Sequence, residues 1–430
     1  MKIYVFGLWH LGTVVSNCLA KLGHEVIGLD EDKKVIADLN NGKAPLFEPG
    51  LEDLLKENLK NENIRFTSKK TAVKECDVLW VTFDTPVDAD DNADVGYVEK
   101  QIISVIKNLK SNAKVIISSQ VPAGFTRQLK NKCSKLYPGK KLYFSCSPEN
   151  LRLGKAIKVF MEPDRIIIGT EKDEKVQFEE LFLSISNRLE WMSIESAEMT
   201  KHAINSFLAA EVSFANELGT ICEKVGADMK EVERSLKTEE RIGPKAYLKA
   251  GTAFSGGTLA RDIRFLSALG DKYKLPLPLI RSVKKSNDAH KNWIQNKCKE
   301  CLGSLKNKKI AVLGLTYKAG TDTLRRSLSV ELCKALKKYG AIIYAFDPAV
   351  KELPTDLQKI IKLCRDIETA VKPVDCVVIS TEWPEFREMS SENIDMIASK
   401  YIIDANGFMK EQFIKLNKLK YYSVGGRNGS

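Results

Sequence analysis

One stretch near the start of the chain combines residues that suit dinucleotide binding. Gly7-Leu-Trp-His-Leu-Gly12 lies between an apolar run, IYVF, and a helical pattern, VVSNCLAKLG, and a second apolar run then ends in Asp30. A strand, a glycine turn, a helix N-terminus and an acid at the next strand end are the parts that bind a diphosphate and a ribose. We therefore predict that NAD binds at Gly7, Trp9, Leu11, Gly12 and Asp30.

Two residues of this stretch refine the prediction. Trp9 stands where the second glycine of a GxGxxG loop normally lets the backbone approach the diphosphate. An inert Rossmann-like domain therefore stays open as an alternative. The carboxylate of Asp30 would repel a 2′-phosphate, which favours NAD over NADP.

A second stretch, FSGGTLARD at residues 254–262, places polar groups after a glycine pair. Its hydroxyl at Thr258 and the charges of Arg261 and Asp262 follow the glycines closely. We expect a tight turn that presents polar groups to a ligand.

The surrounding pattern predicts the elements that position these residues. Apolar runs VLWVTF, KVIISSQVP and LYFSCSP alternate with helical stretches, as in a parallel, doubly wound sheet, and the alternation restarts near residue 305 through IAVLGL, IIYAFDP, CVVIST and YIIDA. We predict an α/β fold with two Rossmann-like doubly wound parallel-sheet domains joined by a central helical domain. The expected boundaries are 1–193, 194–304 and 305–430.

The central domain is predicted to contain one long helix from about Ser193 to Val225. One row of apolar residues recurs at spacings of three and four, and a second row adds Ile204, Leu208, Val212 and Ala215. Because the second row would otherwise face water, we expect it to pack against another subunit in a homodimer or larger homo-oligomer. Burial inside one large domain is the alternative.

Composition excludes several classes of function. The 430 residues contain no apolar run long enough for a membrane span, and the N-terminal stretch MKIYVFGLWHLG lacks the basic start, long apolar stretch and small-residue cleavage site of a signal peptide, so we expect a cytoplasmic protein. The net charge of +11 comes from scattered lysines rather than from a basic face, which argues against nucleic-acid binding. The ten cysteines are expected to be free thiols, and Cys298 and Cys301 lack the further ligands of a metal site.

Motifs spread along nearly the whole chain carry a family resemblance. They are PLFEPGL (45–51), DTP (84–86), SPENLRLGKAI (147–157), AEMTKHAINSFLA (197–209), NELGTICEKVGAD (216–228), RIGPKAYLKAG (241–251), GLTYKAGTDTLR (314–325) and STEWPEF (380–386). In this order they resemble the UDP-glucose/GDP-mannose dehydrogenase family. The resemblance implies a three-domain fold, NAD as cofactor and a nucleotide sugar as substrate, with a UDP-hexose oxidised at C6 as the leading hypothesis.

The resemblance also implies catalytic roles. Lys201 and Asn205 are four apart on the predicted helix, so both side chains project from one face and would stabilise an alkoxide as a hydride leaves its carbon. Glu149 matches the family's glutamate that works with water as general base, and Asp262 matches an acid that positions water or takes protons.

Binding residues follow from the same matches. The cofactor would also contact Thr85, Pro86 and Gln120. The sugar nucleotide would meet Arg241, often supplied by a partner subunit, and the residues Tyr247, Lys249, Phe254, Gly256, Lys318 and Arg325.

One departure bears on the reaction, because Thr258 stands where the family has a nucleophilic cysteine. A threonine hydroxyl is far less ionised than a thiol, and no histidine lies nearby in sequence to activate it. Gln120, Leu153 and the DANG segment (404–407) also depart from the family pattern. Oxidation that stops at the aldehyde, redox-neutral chemistry and a catalytically silent nucleotide-binding relative therefore stay open. A hydroxyacid dehydrogenase would leave the third domain without a role.

Overall fold

The computed structural model describes residues 1–88, 92–149, 151–255, 257–372, 374–389, 397, 399–413 and 419–426. The chain divides into two compact units, Met1–Ile204 and Asn205–Ser430, and the boundary falls within one long helix. Among the described residues, no helix has the length and apolar character that crossing a membrane requires. The three predicted domain boundaries stay predictions.

The first unit is built on an eight-stranded sheet. Its strands are β1 (Lys2–Phe6), β2 (Glu25–Leu29), β3 (Ile64–Thr67), β4 (Val78–Val81), β5 (Lys114–Ile117), β6 (Tyr143–Cys146), β7 (Ile166–Thr170) and β8 (Leu189–Met192). Their order is β3-β2-β1-β4-β5-β6-β7-β8. All pairs are parallel except β6 with β7, a short antiparallel pairing that the apolar pattern does not distinguish from a parallel one.

Helices cover both faces of this sheet. They are α1 (His10–Lys21), α2 (Lys33–Asn40), α3 (Leu51–Lys60), α4 (Val95–Ile106), α5 (Phe125–Leu136), α6 (Ala156–Met161) and α7 (Lys175–Leu183), with 3₁₀ turns at Lys70–Glu75 and Lys172–Glu174. Side chains of β1 alternate between two cores, Ile3 and Val5 on one face and Tyr4 and Phe6 on the other. This two-sided burial explains why the strands read as continuous apolar runs.

The second unit contains helices followed by a six-stranded parallel sheet. Helix α8 (Ile194–Val225) enters it from the first unit, and α9 (Met229–Thr238), α10 (Thr258–Lys272), α11 (Pro278–His290) and α12 (Trp293–Leu302) follow. The strands are β9 (Lys309–Leu313), β10 (Ile342–Phe346), β11 (Ile361–Leu363), β12 (Cys376–Ile379), β13 (Tyr401–Asp404) and β14 (Lys420–Tyr422), in the order β11-β10-β9-β12-β13-β14. The remaining helices are α13 (Leu328–Lys338), α14 (Thr355–Gln358), α15 (Ile367–Val371), α16 (Pro384–Arg387) and α17 (Lys410–Phe413).

The predicted α/β architecture and the long helix are confirmed, but the exposed row of α8 is not the one predicted. Phe207, Phe214, Ile221 and Val225, all of the first row, are 55–71% exposed. The residues of the second row are buried or partly buried. The reason is that α10 and α11 pack Ile263 and Val283 against the side of α8 that carries Ala209.

Candidate active site

The first loop of the first unit has the backbone geometry of a dinucleotide cradle. Gly7 adopts φ +100°, which L side chains rarely adopt, and its amide donates to the carbonyl of Leu29 at 3.0 Å. A Cβ on Gly12 would lie 1.9 Å from the carbonyl oxygen of Gly7. Both glycines are therefore required for the close approach of α1 to the end of β1.

Asp30 lies at the end of β2, beside this loop. One carboxylate oxygen, Oδ2, accepts the Leu8 amide at 2.7 Å, and the other, Oδ1, accepts the Asp32 amide at 3.0 Å. These bonds fix the carboxylate, which remains partly exposed. It is therefore held where a ribose hydroxyl could donate to it.

The N-terminus of α1 suits a diphosphate. Its N-cap residue makes no side-chain capping bond, and no acidic residue lies in its first turn, so its amides and its dipole are suited to an anion. Trp9 is the N-cap, and its indole is 48% exposed rather than packed into the loop. The residues present therefore fit NAD in spite of the missing second glycine.

Two further predicted cofactor residues are brought together at neighbouring strand ends. The Thr85 hydroxyl donates to the Gln120 carbonyl at 2.7 Å, which joins the loop after β4 to the loop after β5. Thr85 is buried and Pro86 beside it is exposed. The carboxyl ends of parallel strands are the usual place for a dinucleotide in such a sheet.

Glu149 and Lys201, both predicted to be catalytic, contact each other in the first unit. Lys201 Nζ donates to the Glu149 carbonyl at 2.6 Å and lies 3.6 Å from Glu149 Oε1. The other carboxylate oxygen, Oε2, accepts the Leu151 amide at 2.6 Å. Gln120 joins this pair around a small cavity of about 10 Å³, close to the space that one water needs.

The same cavity has a cysteine in its wall, which the sequence did not single out. Cys146 closes β6 and is only 2% exposed. Burial raises the pKa of its thiol well above the usual range, and the nearby Glu198 carboxylate acts in the same direction. The thiol is therefore protonated at neutral pH and is a poor replacement for the family nucleophile.

In the second unit, Asn205 and Asp262 contact each other. The Asn205 amide donates to Asp262 Oδ2, and Asp262 is fully buried on α10. A buried carboxylate that accepts this bond fixes the orientation of the amide. The second N–H of the amide is then the group that could meet a ligand oxygen.

Thr258 begins α10 and is exposed. The residue before it, Gly257, has φ +113°, and a Cβ there would lie 3.2 Å from Arg326 Nη1. Arg326 thus lies against the Thr258 turn, although the sequence had directed attention to its neighbour Arg325, which is exposed. Position in the TDTLRR segment alone could not tell the two arginines apart.

The predicted substrate residues are held to different degrees. Lys249 lies 3.5 Å from Glu382 of the STEWPEF motif, and Arg241 pairs with Glu239 at 2.7 Å. The backbone of Phe254 bonds at both its amide and its carbonyl to the buried side chain of Asn287. Tyr247 and Lys318 are exposed, and Gly256 lies outside the described residues.

The DANG segment has a structural role that its departure from the family pattern did not suggest. The side-chain oxygen of Asn406 accepts the Thr252 amide at 2.8 Å. On the other side of the same turn, the Asn216 side chain accepts the Gly251 amide at 2.8 Å. Two asparagines therefore shape the turn that follows Lys249.

Known proteins match this chain over nearly its whole length. UDP-glucose 6-dehydrogenase TuaD of Bacillus subtilis is 31% identical, and the match covers 99% of this chain and 93% of that protein. The UDP-glucose 6-dehydrogenase of Rickettsia conorii is 32% identical, and the match covers 99% of this chain and 100% of that protein. The structure of a UDP-glucose dehydrogenase from Pyrobaculum islandicum superposes with a TM-score of 0.89 at 28% identity, covering 99% of this chain and 98% of that one.

Three family models match consecutive segments of the chain. They describe the NAD binding domain (residues 1–186), the central domain (195–289) and the UDP binding domain (311–411) of one family. NAD is therefore the cofactor, and the enzyme class is NAD-dependent nucleotide sugar dehydrogenase. The chain belongs to the UDP-glucose/GDP-mannose dehydrogenase family.

Proposed function

We propose that this enzyme oxidises C6 of a UDP-hexose, with UDP-glucose as the first substrate to test. Three relatives with whole-chain matches are named for UDP-glucose oxidation. The observation that carries the catalytic part is the Lys201–Glu149 pair beside a cavity of water size.

In the first oxidation, bound NAD would be the hydride acceptor. Lys201 and Asn205, one turn apart on α8, would hold the C6 oxygen and stabilise the negative charge that develops on it. Asp262 acts as a positioning residue, because it holds the Asn205 amide. The hydroxyl proton would pass through a water to Glu149, leaving an aldehyde at C6.

In the second oxidation, we propose that water takes the place of the missing thiol. Glu149 first releases the proton of the first oxidation to solvent, and a second NAD replaces the NADH. Water then adds to the aldehyde carbon, Glu149 accepts the proton that this water loses, and the carbonyl oxygen receives a proton from solvent, which gives a neutral hydrate. The hydrate gives up its C6 hydrogen as a hydride to the second NAD and a hydroxyl proton to solvent, which yields a carboxylic acid. This route needs no covalent bond to Thr258, whose exposed hydroxyl has no base assigned to it.

A panel of UDP-hexoses with NAD tests this proposal, with NADH followed by absorbance and products identified by mass. We expect two NADH and one uronate per UDP-glucose consumed. Glu149→Gln should slow both oxidations, and of the sugar that it does consume a carbonyl reagent should capture a larger share as aldehyde than with the unmodified enzyme. An enzyme that forms no NADH with any UDP-hexose would instead support the silent-relative alternative.

We also propose that the enzyme is a homodimer in the cytoplasm. The exposed stripe of Phe207, Phe214, Ile221 and Val225 on α8 supports a subunit contact. Ten free cysteines and the use of NAD support the location. Light scattering should give a dimer or larger assembly, and the double variant Phe207→Ser/Phe214→Ser should shift it towards the monomer, whereas Phe47→Ser, an exposed phenylalanine of the first unit, should not.

A further inference from the structure

The motif PLFEPGL (45–51) contains a buried carboxylate that the proposed mechanism does not use. Glu48 lies in the loop before α3, and its side chain is only 1% exposed. Within the part of the chain that the structure describes, three donors from two other segments bond to this carboxylate. Burial of a carboxylate costs free energy unless donors replace the water that it loses, so these bonds hold Glu48 in one orientation.

Two of the three donors lie at the start of α6, in the segment 151–156 that follows Glu149. The amide of Gly154 donates to Glu48 Oε2 at 2.8 Å, and the amide of Ala156, the first residue of α6, donates to Glu48 Oε1 at 2.8 Å. The N-cap residue Lys155 makes no side-chain capping bond. Because the first amides of a helix have no partner within it, Glu48 takes the place of the missing cap.

The third donor belongs to α1. His10 is the first residue of this helix and is part of the GLWHLG loop. Its Nε2 donates at 2.9 Å to Glu48 Oε2, the same oxygen that accepts the Gly154 amide. One carboxylate therefore joins the helix of the dinucleotide loop to the start of α6.

Apolar packing brings the same elements together. Val14 and Cys18 of α1 form a buried cluster with Leu51 of α3 and Ala156 of α6, and Leu151 packs against this cluster. Apolar contacts are not directional, whereas hydrogen bonds are. The cluster therefore holds the 151–156 segment against α1, and the bonds to Glu48 fix its position there.

The 151–156 segment is in direct contact with the proposed base. The amide of Leu151 donates to Glu149 Oε2 at 2.6 Å, and Glu149 Oε1 lies 3.6 Å from Lys201 Nζ. A shift of the segment would move the Glu149 carboxylate away from Lys201 and from the cavity of water size that both residues line. A general base acts only within hydrogen-bond reach of the proton that it takes.

We propose that Glu48 is a positioning residue for the oxidation. Through the 151–156 segment it fixes the Glu149 carboxylate, and through His10 it fixes this segment relative to the helix at the dinucleotide loop. The inference rests on the proposed role of Glu149 as general base. Glu48 itself takes no proton in this scheme.

Steady-state kinetics with UDP-glucose tests the catalytic part of this proposal. Glu48→Gln should lower kcat at least about tenfold, because its amide nitrogen cannot accept the bonds that hold the segment, and a base displaced by a fraction of an ångström works poorly. The KM for NAD should stay within about threefold, since Gly7 and Asp30 hold their loop by bonds of their own. Glu57→Gln, an exposed glutamate of α3, is the matched control and should leave kcat unchanged.

A double-variant cycle shows whether Glu48 acts through the base. Once Glu149 is lost, there is no base left to position, so adding Glu48→Gln to Glu149→Gln should lower kcat by less than about twofold more. A further loss as large as that of Glu48→Gln alone would overturn the proposal, and so would a wild-type kcat in Glu48→Gln. A wild-type kcat in Glu149→Gln would contradict the base of the proposed function and overturn the positioning role with it.

Limited proteolysis tests the attachment of the segment without any turnover. Arg152 and Lys155 are exposed trypsin sites on the segment. In the NADH-bound protein, Glu48→Gln should be cleaved at these sites at least about fivefold faster than the wild type or Glu57→Gln, because the segment opens more often. Equal rates would overturn the attachment, even in an enzyme that oxidises no UDP-hexose.

The variant His10→Leu tests the link from the side of α1. Glu48 keeps its two amide donors in this variant, so kcat should fall less than in Glu48→Gln but at least about threefold, the effect of one lost hydrogen bond. This loss should also disappear in the Glu149→Gln background, and His10→Leu serves in the cycle if Glu48→Gln does not fold. An unchanged kcat in His10→Leu would overturn the role of His10 and with it the proposed link to α1.

Discussion

The first two strands of each sheet are arranged in the same way but serve different purposes. In each, a glycine with positive φ follows the first strand, Gly7 at +100° and Gly314 at +88°. In each, the amide of that glycine donates to the carbonyl at the end of the second strand, Leu29 at 3.0 Å and Phe346 at 2.8 Å. An acid then follows the second strand in both.

The two acids differ in what their oxygens accept. Asp30 remains partly exposed, whereas Asp347 is 2% exposed. Asp347 Oδ2 accepts the amides of Leu315 and Thr316 and the indole N–H of Trp383. The Asp347 carboxylate therefore holds the loop that follows β9 and bonds to Trp383 of the STEWPEF motif.

The helices that follow differ as well. Helix α1 begins three residues after Gly7 without a side-chain cap, whereas α13 begins only after a long loop and is capped by the Ser327 hydroxyl, which accepts two amides. An uncapped N-terminus beside an accessible acid can bind a dinucleotide. A capped N-terminus beside a buried acid does not offer the same groups to a dinucleotide. The long loop before α13 instead carries Lys318 and Arg325.

The largest expected effect tests whether the N-terminal part of α8, which lies in the first unit, carries a catalytic residue. Lys201→Ala should lower kcat/KM by a factor that corresponds to about 3 to 4 kcal/mol, because a cation aimed at the developing alkoxide is lost. NADH binding by calorimetry should be unchanged. A variant that keeps most of its turnover would show that Lys201 only holds the Glu149 loop.

The next prediction tests the different roles of Asp30 and Asp347 by replacing each of them with asparagine. Asp30→Asn should weaken NADH binding about tenfold, or about 1.4 kcal/mol, with little change in stability. Asp347→Asn should lower the free energy of unfolding by about 1 to 3 kcal/mol, since the five donors that bond to this carboxylate lose a charged acceptor, and should leave NADH affinity intact. Denaturant titration and calorimetry measure both quantities for both variants. A loss of stability in Asp30→Asn together with a loss of NADH affinity in Asp347→Asn would contradict the comparison.

A smaller effect is expected at Thr258. Thr258→Ala should reduce kcat/KM by only about 1 kcal/mol, the amount of one lost hydrogen bond. A loss beyond about a thousandfold, roughly 4 kcal/mol, or a sugar attached to Thr258 in an intact-mass spectrum, would identify the threonine as a nucleophile.

The smallest effect is expected at Cys146. Because burial raises the pKa of this thiol, Cys146→Ala should leave kcat for UDP-glucose within about twofold of the wild type, and iodoacetamide should modify Cys146 in the native enzyme more slowly than the partly exposed Cys364. Rapid modification of Cys146 with loss of turnover would contradict this view.

Much of the framework could be predicted from sequence because it rests on local rules. The glycines, the terminal acid of β2 and the period of α8 each require particular residue types at fixed spacing. The cavity wall that contains Cys146 and the contact of Arg326 with the Thr258 turn arise between segments distant in sequence. The exposed face of α8 likewise depends on how α10 and α11 pack, which periodicity alone does not determine.

The measurement that tests the central claim most directly is the yield of NADH per UDP-glucose, taken together with the intact mass of the enzyme during turnover. We predict two NADH, a uronate product and no sugar bound to the protein. One NADH with a free aldehyde would contradict the hydrate route, and an adduct on the enzyme or an absence of NADH would contradict the proposed mechanism as a whole.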